Sequence, residues 1–287
     1  GGRAFNGGKP PETIKVGAAE IPNFRKTEPS YTLFGSKQRE WLKDRLRSSR
    51  ATWKIWGASG GTLDWRFDPQ NLPEGLTTPW PGGGYAGAGG GDFSGAYTER
   101  AEIYDAVRDA GVTGSVTVAG DRHSFWAGYA AKGLPPAKFE PVGIAFITGS
   151  LSSPGMAEAN EHNFPKDHPL RPLFLADRPG AKPEPSVNLT LHRGVKSALE
   201  YARSGDIERA RALTNPDVSP HLEFIDAGGH GYATVRLSQD EMRTEFVCIP
   251  RPVSPIDAPD GGPIRYRVRF RTALWKAGEA PRMTTEV

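Results

Sequence analysis

Apolar positions along this chain follow two periods, and the places where one gives way to the other mark its elements. In SKQREWLKDRLRSS (36–49), Trp41, Leu42 and Leu46 fall on one side of a helix and Arg39, Lys43, Asp44 and Arg47 on the other, with Ser36 as N-cap and an end near Ser48. ATWKIWG follows as a strand, Thr52 to Trp56, closed by Gly57. Periodicity is then lost through 58–94. A second helix is predicted from Tyr97 to about Ala110 on Ala101, Tyr104 and Val107, and Gly111 ends it. SVTVAG and PVGIAFITGS (141–150) read as short buried strands, the Pro-rich stretch 156–192 as loops, and 193–213 as one or two helices broken at Gly205. Beyond these, HLEFID, HGYATVRLS, RTEFVCIP and PIRYRVRFRTALW are strand-like and separated by Gly, Asp and Pro turns. Mixed elements throughout predict a layered α/β sandwich with a β-rich tail.

The chemistry concentrates where SVTVAG stops. After Val116, Val118 and Gly120 come Asp121, Arg122 and His123. A glycine at the carboxyl end of a strand lets the backbone turn sharply, so Asp121 and His123 can face the cleft where α/β sheets hold ligands. A carboxylate and a neutral imidazole are donors suited to calcium, zinc, manganese or iron. The competing reading makes Asp121 a turn cap and His123 a hydrogen-bonded core residue. Two ligands fall short of the three that a catalytic metal usually takes from protein, so further donors must come from elsewhere.

Composition narrows the field. The chain has 287 residues, enough for one large domain or two small ones, and its single cysteine, Cys248, excludes an intrachain disulfide. Lys+Arg 36 nearly cancels Asp+Glu 33, so net charge offers no argument for nucleic acid. No run reaches the ~20 apolar residues of a membrane span, and Gly1 opens no signal peptide. In IRYRVRFR the alternation places Arg265, Arg267, Arg269 and Arg271 on one strand face, expected to be solvated or paired with an acidic neighbour. His162, His168 and His192 read as exposed loop histidines. Ser124 follows His123, but no G-x-S-x-G elbow supports a serine hydrolase. The Gly-rich run 82–91 lacks the order of a P-loop and reads, with 58–80, as an active-site rim. Residues 1–34 carry no amphipathic period and read as a variable loop or processed segment, ahead of the body of the chain at 35–287.

Several blocks together resemble a known family: FGSKQREWLKDRLRSSRATWKIWG, GDFSGAYTER, GDRHSFW, SLSSPG and GHGYATV are similar to stretches of the PhoD-like alkaline phosphatases, within the metallophosphoesterases. The resemblance implies an αββα sandwich with this chain as its C-terminal half. It further implies hydrolysis of phosphate esters, a multinuclear site of iron and calcium (zinc or manganese being compatible), and a periplasmic or secreted protein. Asp121 and His123 match the family's late G-D-x-H ligands. His230 in GGHGY matches a late segment that faces the same site, and Arg122 is a candidate for steadying the substrate.

Two departures stand out. The family's early ligand motifs are not found upstream of Ser36, so the resemblance implies an N-terminal half as a second chain, docked through a large apolar interface. The family's ligand Asn after the WK-x-x-G strand is here Ala58, with Ser59 adjacent. Three explanations stay open: an inactivated variant, a homologue that ligates differently, or a register shifted by one. Two alternatives to an alkaline phosphatase or phosphodiesterase follow. One is a phospholipase-type diesterase with an apolar rim of Trp65, Trp80 and Phe93. The other is an inactive binding subunit that kept the fold.

Overall fold

The computed structural model describes residues 4–5, 12–16, 19–22, 31–76, 85–87, 91–250 and 263–286. Short strands β1 (Ala4–Phe5), β2 (Thr13–Val16) and β3 (Ala19–Pro22) come first, followed by α1 (Gly35–Ser48), β4 (Lys54–Ala58), β5 (Arg66–Phe67), β6 (Tyr85–Gly87) and α2 (Tyr97–Asp109). Next are β7 (Ser115–Ala119), β8 (Phe125–Ala131) and β9 (Pro141–Ile147). Helices α3 (Met156–Asn163), α4 (Arg171–Phe174), α5 (Val187–Arg193), α6 (Val195–Ser204) and α7 (Ile207–Ala212) precede β10 (Leu222–Asp226), β11 (His230–Leu237), β12 (Glu241–Ile249), β13 (Tyr266–Ala273) and β14 (Met283–Glu286).

Two sheets carry the body. A five-stranded mixed sheet runs β10-β8-β9-β7-β4, and a four-stranded antiparallel sheet runs β11-β12-β13-β14. Alternation along each strand drives them together: Val116, Phe125, Ile144 and Phe146 from the first meet Met242, Phe246, Val268 and Phe270 from the second. Phe125 stacks on Phe246 with centroids 4.9 Å apart, and Phe246 meets Phe270 edge-on at 5.1 Å. Each such side chain contributes about 1.5–3 kcal/mol when fully removed from water. The other face of the five-stranded sheet is covered by helices. Trp56 packs there with Leu42 and Leu46 of α1 and Ile103 and Val107 of α2, while Trp126 and Ile147 pack with Met156, Val187 and Leu191 of α3 and α5.

The α/β sandwich is therefore present, with three layers among the described residues. The outer face of the four-stranded sheet carries arginines and glutamates in place of the apolar surface that a further helical layer would need.

Local expectations fare unevenly. Gly205 breaks α6 from α7 in the left-handed conformation, as its position suggests. Trp41, expected on the buried face of α1, is 58% exposed, because the helix needs only Leu42 and Leu46 to meet its neighbours. Ser36 is not the N-cap. The free amides at the start of α1 are satisfied by Thr32 Oγ1, which accepts from Gly35 N at 2.7 Å, and by Glu99 of α2, which accepts from Leu33 N at 2.7 Å and Phe34 N at 3.2 Å. Residues 31–34 are thus tied to the body rather than looping free. The stretch 156–192, expected as loops, holds α3, α4 and α5, whose burial is supplied by tertiary contacts. FWAGYAA, unassigned in the sequence, is β8 at the heart of the first sheet. Most of 1–30, Trp80 and most of the Gly-rich run lie outside the described residues.

Candidate active site

The topology brings four chain segments to one end of the five-stranded sheet. β4, β7 and β9 are parallel neighbours, and β10, antiparallel to β8, points the same way. After β4 comes Ser59, after β7 the Asp121–His123 turn, after β9 the stretch leading to Pro154, and after β10 the loop to His230. Because β9 inserts between β7 and β8 in the sheet, the GDRHS turn must cross over the end of β9. Carboxyl ends of parallel strands are where α/β sheets hold ligands.

The turn itself is strained. Asp121 (φ 71°) and His123 (φ 51°) are the two non-glycine residues with positive φ among the described residues. Left-handed backbone costs about 1–2 kcal/mol for a residue with a Cβ, and it persists where its surroundings impose it, commonly at functional sites. Both side chains are exposed, which rules out the buried-core reading of His123. Its Nδ1 lies 2.7 Å from the carbonyl oxygen of Pro154. A carbonyl only accepts, so Nδ1 carries the proton and Nε2 presents a lone pair, the tautomer that a ligand histidine needs. The Asp121 carboxylate lies beside Gly60, where an added Cβ would stand 3.9 Å from Oδ2 and 2.9 Å from Asp92 Cβ. Glycine at 60 is thus required by close packing against Asp92.

What holds the strain is a buried ion pair directly beneath. Arg122 Nε donates to Asp92 Oδ2 at 2.7 Å and its Nη2 to Leu63 O at 2.6 Å, with the guanidinium 4.6 Å from the Trp126 ring centroid and 5.4 Å from that of Trp65. Both side chains of the pair are almost wholly buried. The guanidinium expected to steady a substrate is therefore buried, and through Nε and Nη2 it joins the turn to Asp92 and to the 60–65 loop. Gly61 must lack a side chain, since a Cβ there would lie 2.4 Å from Arg122 Nε. A second buried pair, Arg100 to Asp64 at 2.7 Å, braces the same loop from α2. The GDFSGAYTER block thus acts as scaffold through Asp92, Glu99 and Arg100. Nearby His221 is wholly buried, and loss of hydration pushes its pKa down to about 3.

The remaining candidates separate. Ala58 sits beside Ala119 in the β4–β7 register and packs against the apolar cluster of α1 and α2, whereas Ser59 is exposed at the strand end. His230 is buried, and its Nε2 lies 3.1 Å from Glu158 Oε1. It adjoins the turn at Gly155, where a Cβ would be 3.1 Å from His230 Nε2 and 3.5 Å from His123 O. His162 lies on α3 and is exposed. His168 is half-buried, with its Nδ1 accepting from Leu170 N at 3.2 Å. His192 is not an exposed loop residue: it lies on α5, half-buried, with its pKa driven down to about 4 by desolvation. Of the expected apolar rim, Phe93 is fully buried and lines no open cleft, while Trp65 is partly buried and packs edge-on against Trp126 at 5.7 Å.

Sequence reading missed Asp92, Pro154 and Glu158. Asp92 and Pro154 lie in the blocks GDFSGAYTER and SLSSPG that carry the resemblance, without their roles being marked; Glu158 left a local signal, since Gly155 followed three residues later by Glu is the spacing of an N-terminal cap, and Gly155 N donates to Glu158 Oε2 at 2.6 Å. Asp121 and His123 supply an oxygen and a nitrogen donor. Among the described residues no group of three or more His, Cys, Asp or Glu side chains is placed to hold an ion. On their own these residues do not make a metal centre.

A family model described as PhoD-like phosphatase matches residues 9–182. A solved structure titled "Structure of PhoD" superposes with a TM-score of 0.55 at 17% identity, covering 90% of this chain and 36% of that one. This chain therefore spans about a third of its solved relative, and the likeness is one of fold. No curated protein matches.

Proposed function

The chain belongs to the PhoD-like phosphatase family, and from that premise we propose that it takes part in hydrolysis of phosphate esters at the turn carrying Asp121 and His123. The observation that carries the proposal is the pair of left-handed residues at a strand end, one with its imidazole tautomer set by Pro154 O. Strain of this kind is kept where a side chain must point somewhere particular. Asp121 and His123 would supply two donors of a multinuclear metal site, and iron with calcium, or zinc or manganese, would neutralise the phosphate and activate water there. Arg122 acts as a positioning residue from below.

The missing donors are proposed to come from a companion segment, on this polypeptide or a second one, docked along β4. Among the described residues β4 pairs only with β7, so its far edge is open, and Ile55 on it is 45% exposed. Parallel strands are normally covered on all sides. A second reading, a subunit that kept the fold without catalysis, is favoured by one observation: Ala58 spends its methyl on the apolar cluster and offers no oxygen.

One experiment divides the two. The full assembly is purified, its metals are quantified, and hydrolysis of p-nitrophenyl phosphate and bis-p-nitrophenyl phosphate is measured. The catalytic reading expects bound metal, with loss of at least about tenfold in metal affinity or rate in Asp121→Asn and His123→Ala. A folded assembly that holds no metal and turns over neither ester refutes it. If Ala58→Asn alone restores metal and turnover to such an assembly, position 58 is the vacated ligand.

A further inference from the structure

Away from the turn, the outer face of the four-stranded sheet carries an arrangement that folding alone does not favour. Arg236, Arg243 and Arg271 are directly opposed on three adjacent strands, Arg236 to Arg243 and Arg243 to Arg271. Like charges directly opposite on a sheet destabilise it. Arg267 and Arg269 extend the row along β13, and all five guanidiniums are exposed. Glu241 accepts from both Arg243 and Arg271, and Glu245 from both Arg267 and Arg269. Each of these carboxylates is shared between two arginines, Glu286 stands opposite Arg269, and Arg236 has no ion pair among the described residues. Five guanidiniums against three carboxylates leave the face positively charged, with many N–H donors directed at solvent.

These residues surround a depression of about 420 Å³, with Thr234, Arg236, Arg243, Arg269, Arg271 and Glu286 in its lining. We propose that it binds a flexible chain of linked phosphates. The charges repeat about 5 Å apart across strands and about 7 Å apart along β13, a grid that single phosphates on a flexible chain can follow. Guanidinium forks match phosphate oxygens in pairs. A lipid surface would call for apolar side chains among the cations, and this depression is lined by Arg, Glu and Thr with one buried Phe.

The test measures binding of end-labelled inorganic polyphosphate to the full assembly by fluorescence anisotropy at several salt concentrations. The triple variant Arg236→Gln/Arg243→Gln/Arg271→Gln is expected to lose at least tenfold in affinity, and its log–log salt slope to fall by about 2. A charge-matched control on α6 and α7, Arg203→Gln/Arg209→Gln/Arg211→Gln, should bind as the parent does. If the triple variant unfolds, Arg236→Gln alone, whose side chain has no ion pair among the described residues, should still weaken binding about threefold. Equal losses in variant and control, or no binding by the parent, overturn the proposal. So does equal affinity for heparin, which is sulfated, or preference for anionic vesicles or duplex DNA.

Discussion

The two sheets use the same alternation of side chains for opposite ends. In the five-stranded sheet both faces are covered except at the β4 edge, and chemistry appears only where strands stop: Asp121 and His123 lie beyond β7, held by a buried pair of charges. In the four-stranded sheet one face is core and the other faces water, so charge appears along the strands and each pair is exposed. A buried pair is costly to break and an exposed one is cheap, so substitutions should cost more at the end of the first sheet than across the face of the second.

The largest expected effect tests that contrast directly. Arg122→Met leaves Asp92 charged and unpaired under the turn and should cost about 3–5 kcal/mol in urea unfolding, with part recovered in Arg122→Met/Asp92→Asn. If the single variant loses under about 1 kcal/mol, the pair is not what holds the turn.

Acid should act on the first sheet's side of the molecule. Burial lowers the pKa of His221 to about 3 and of His192 to about 4, so the folded state resists protons that the unfolded chain takes up near 6.5. Their contribution is complete above pH 6.5 and is lost as pH falls towards 4 for His192 and towards 3 for His221, by up to about 1.4 kcal/mol per unit for His221 and less for half-buried His192. Urea midpoints at pH 7 and pH 5 measure it. His221→Gln should flatten the dependence, and an unchanged slope in that variant would assign the acid sensitivity elsewhere.

A smaller effect has the opposite sign. His123→Gly removes a Cβ from a left-handed residue and should raise stability by about 1 kcal/mol while metal binding and ester hydrolysis fall. A loss of stability instead would mean that the hydrogen bond to Pro154 O outweighs the strain. Smallest of all, Arg271→Met on the exposed sheet face should leave the urea midpoint unchanged, read from the same unfolding curves.

Legibility followed the range of the interactions. The helix over Leu42 and Leu46, the break at Gly205, the strand at Val116 and the arginine face of β13 are short-range patterns, and each is where alternation puts it. FWAGYAA has no polar alternation because β8 is buried on both faces, and α3, α4 and α5 are short helices whose stability comes from what they pack against. Arg122 could be seen as adjacent to two candidate ligands, but its burial depended on Asp92, thirty residues away in sequence. Pro154 enters through a backbone carbonyl, which no residue identity announces.

By itself, then, the sequence determined the α/β class, the position of the GDRHS turn at a strand's end, the charge face of IRYRVRFR and the family resemblance, because these depend on local periodicity and on contiguous motifs. Tertiary structure alone decided that four strand ends share one edge, that Arg122 faces inward while Asp121 and His123 face out, that His230 meets Glu158, and that three arginines stand in register across three strands. Those outcomes follow from strand order and register, which are set by packing between segments far apart in the chain.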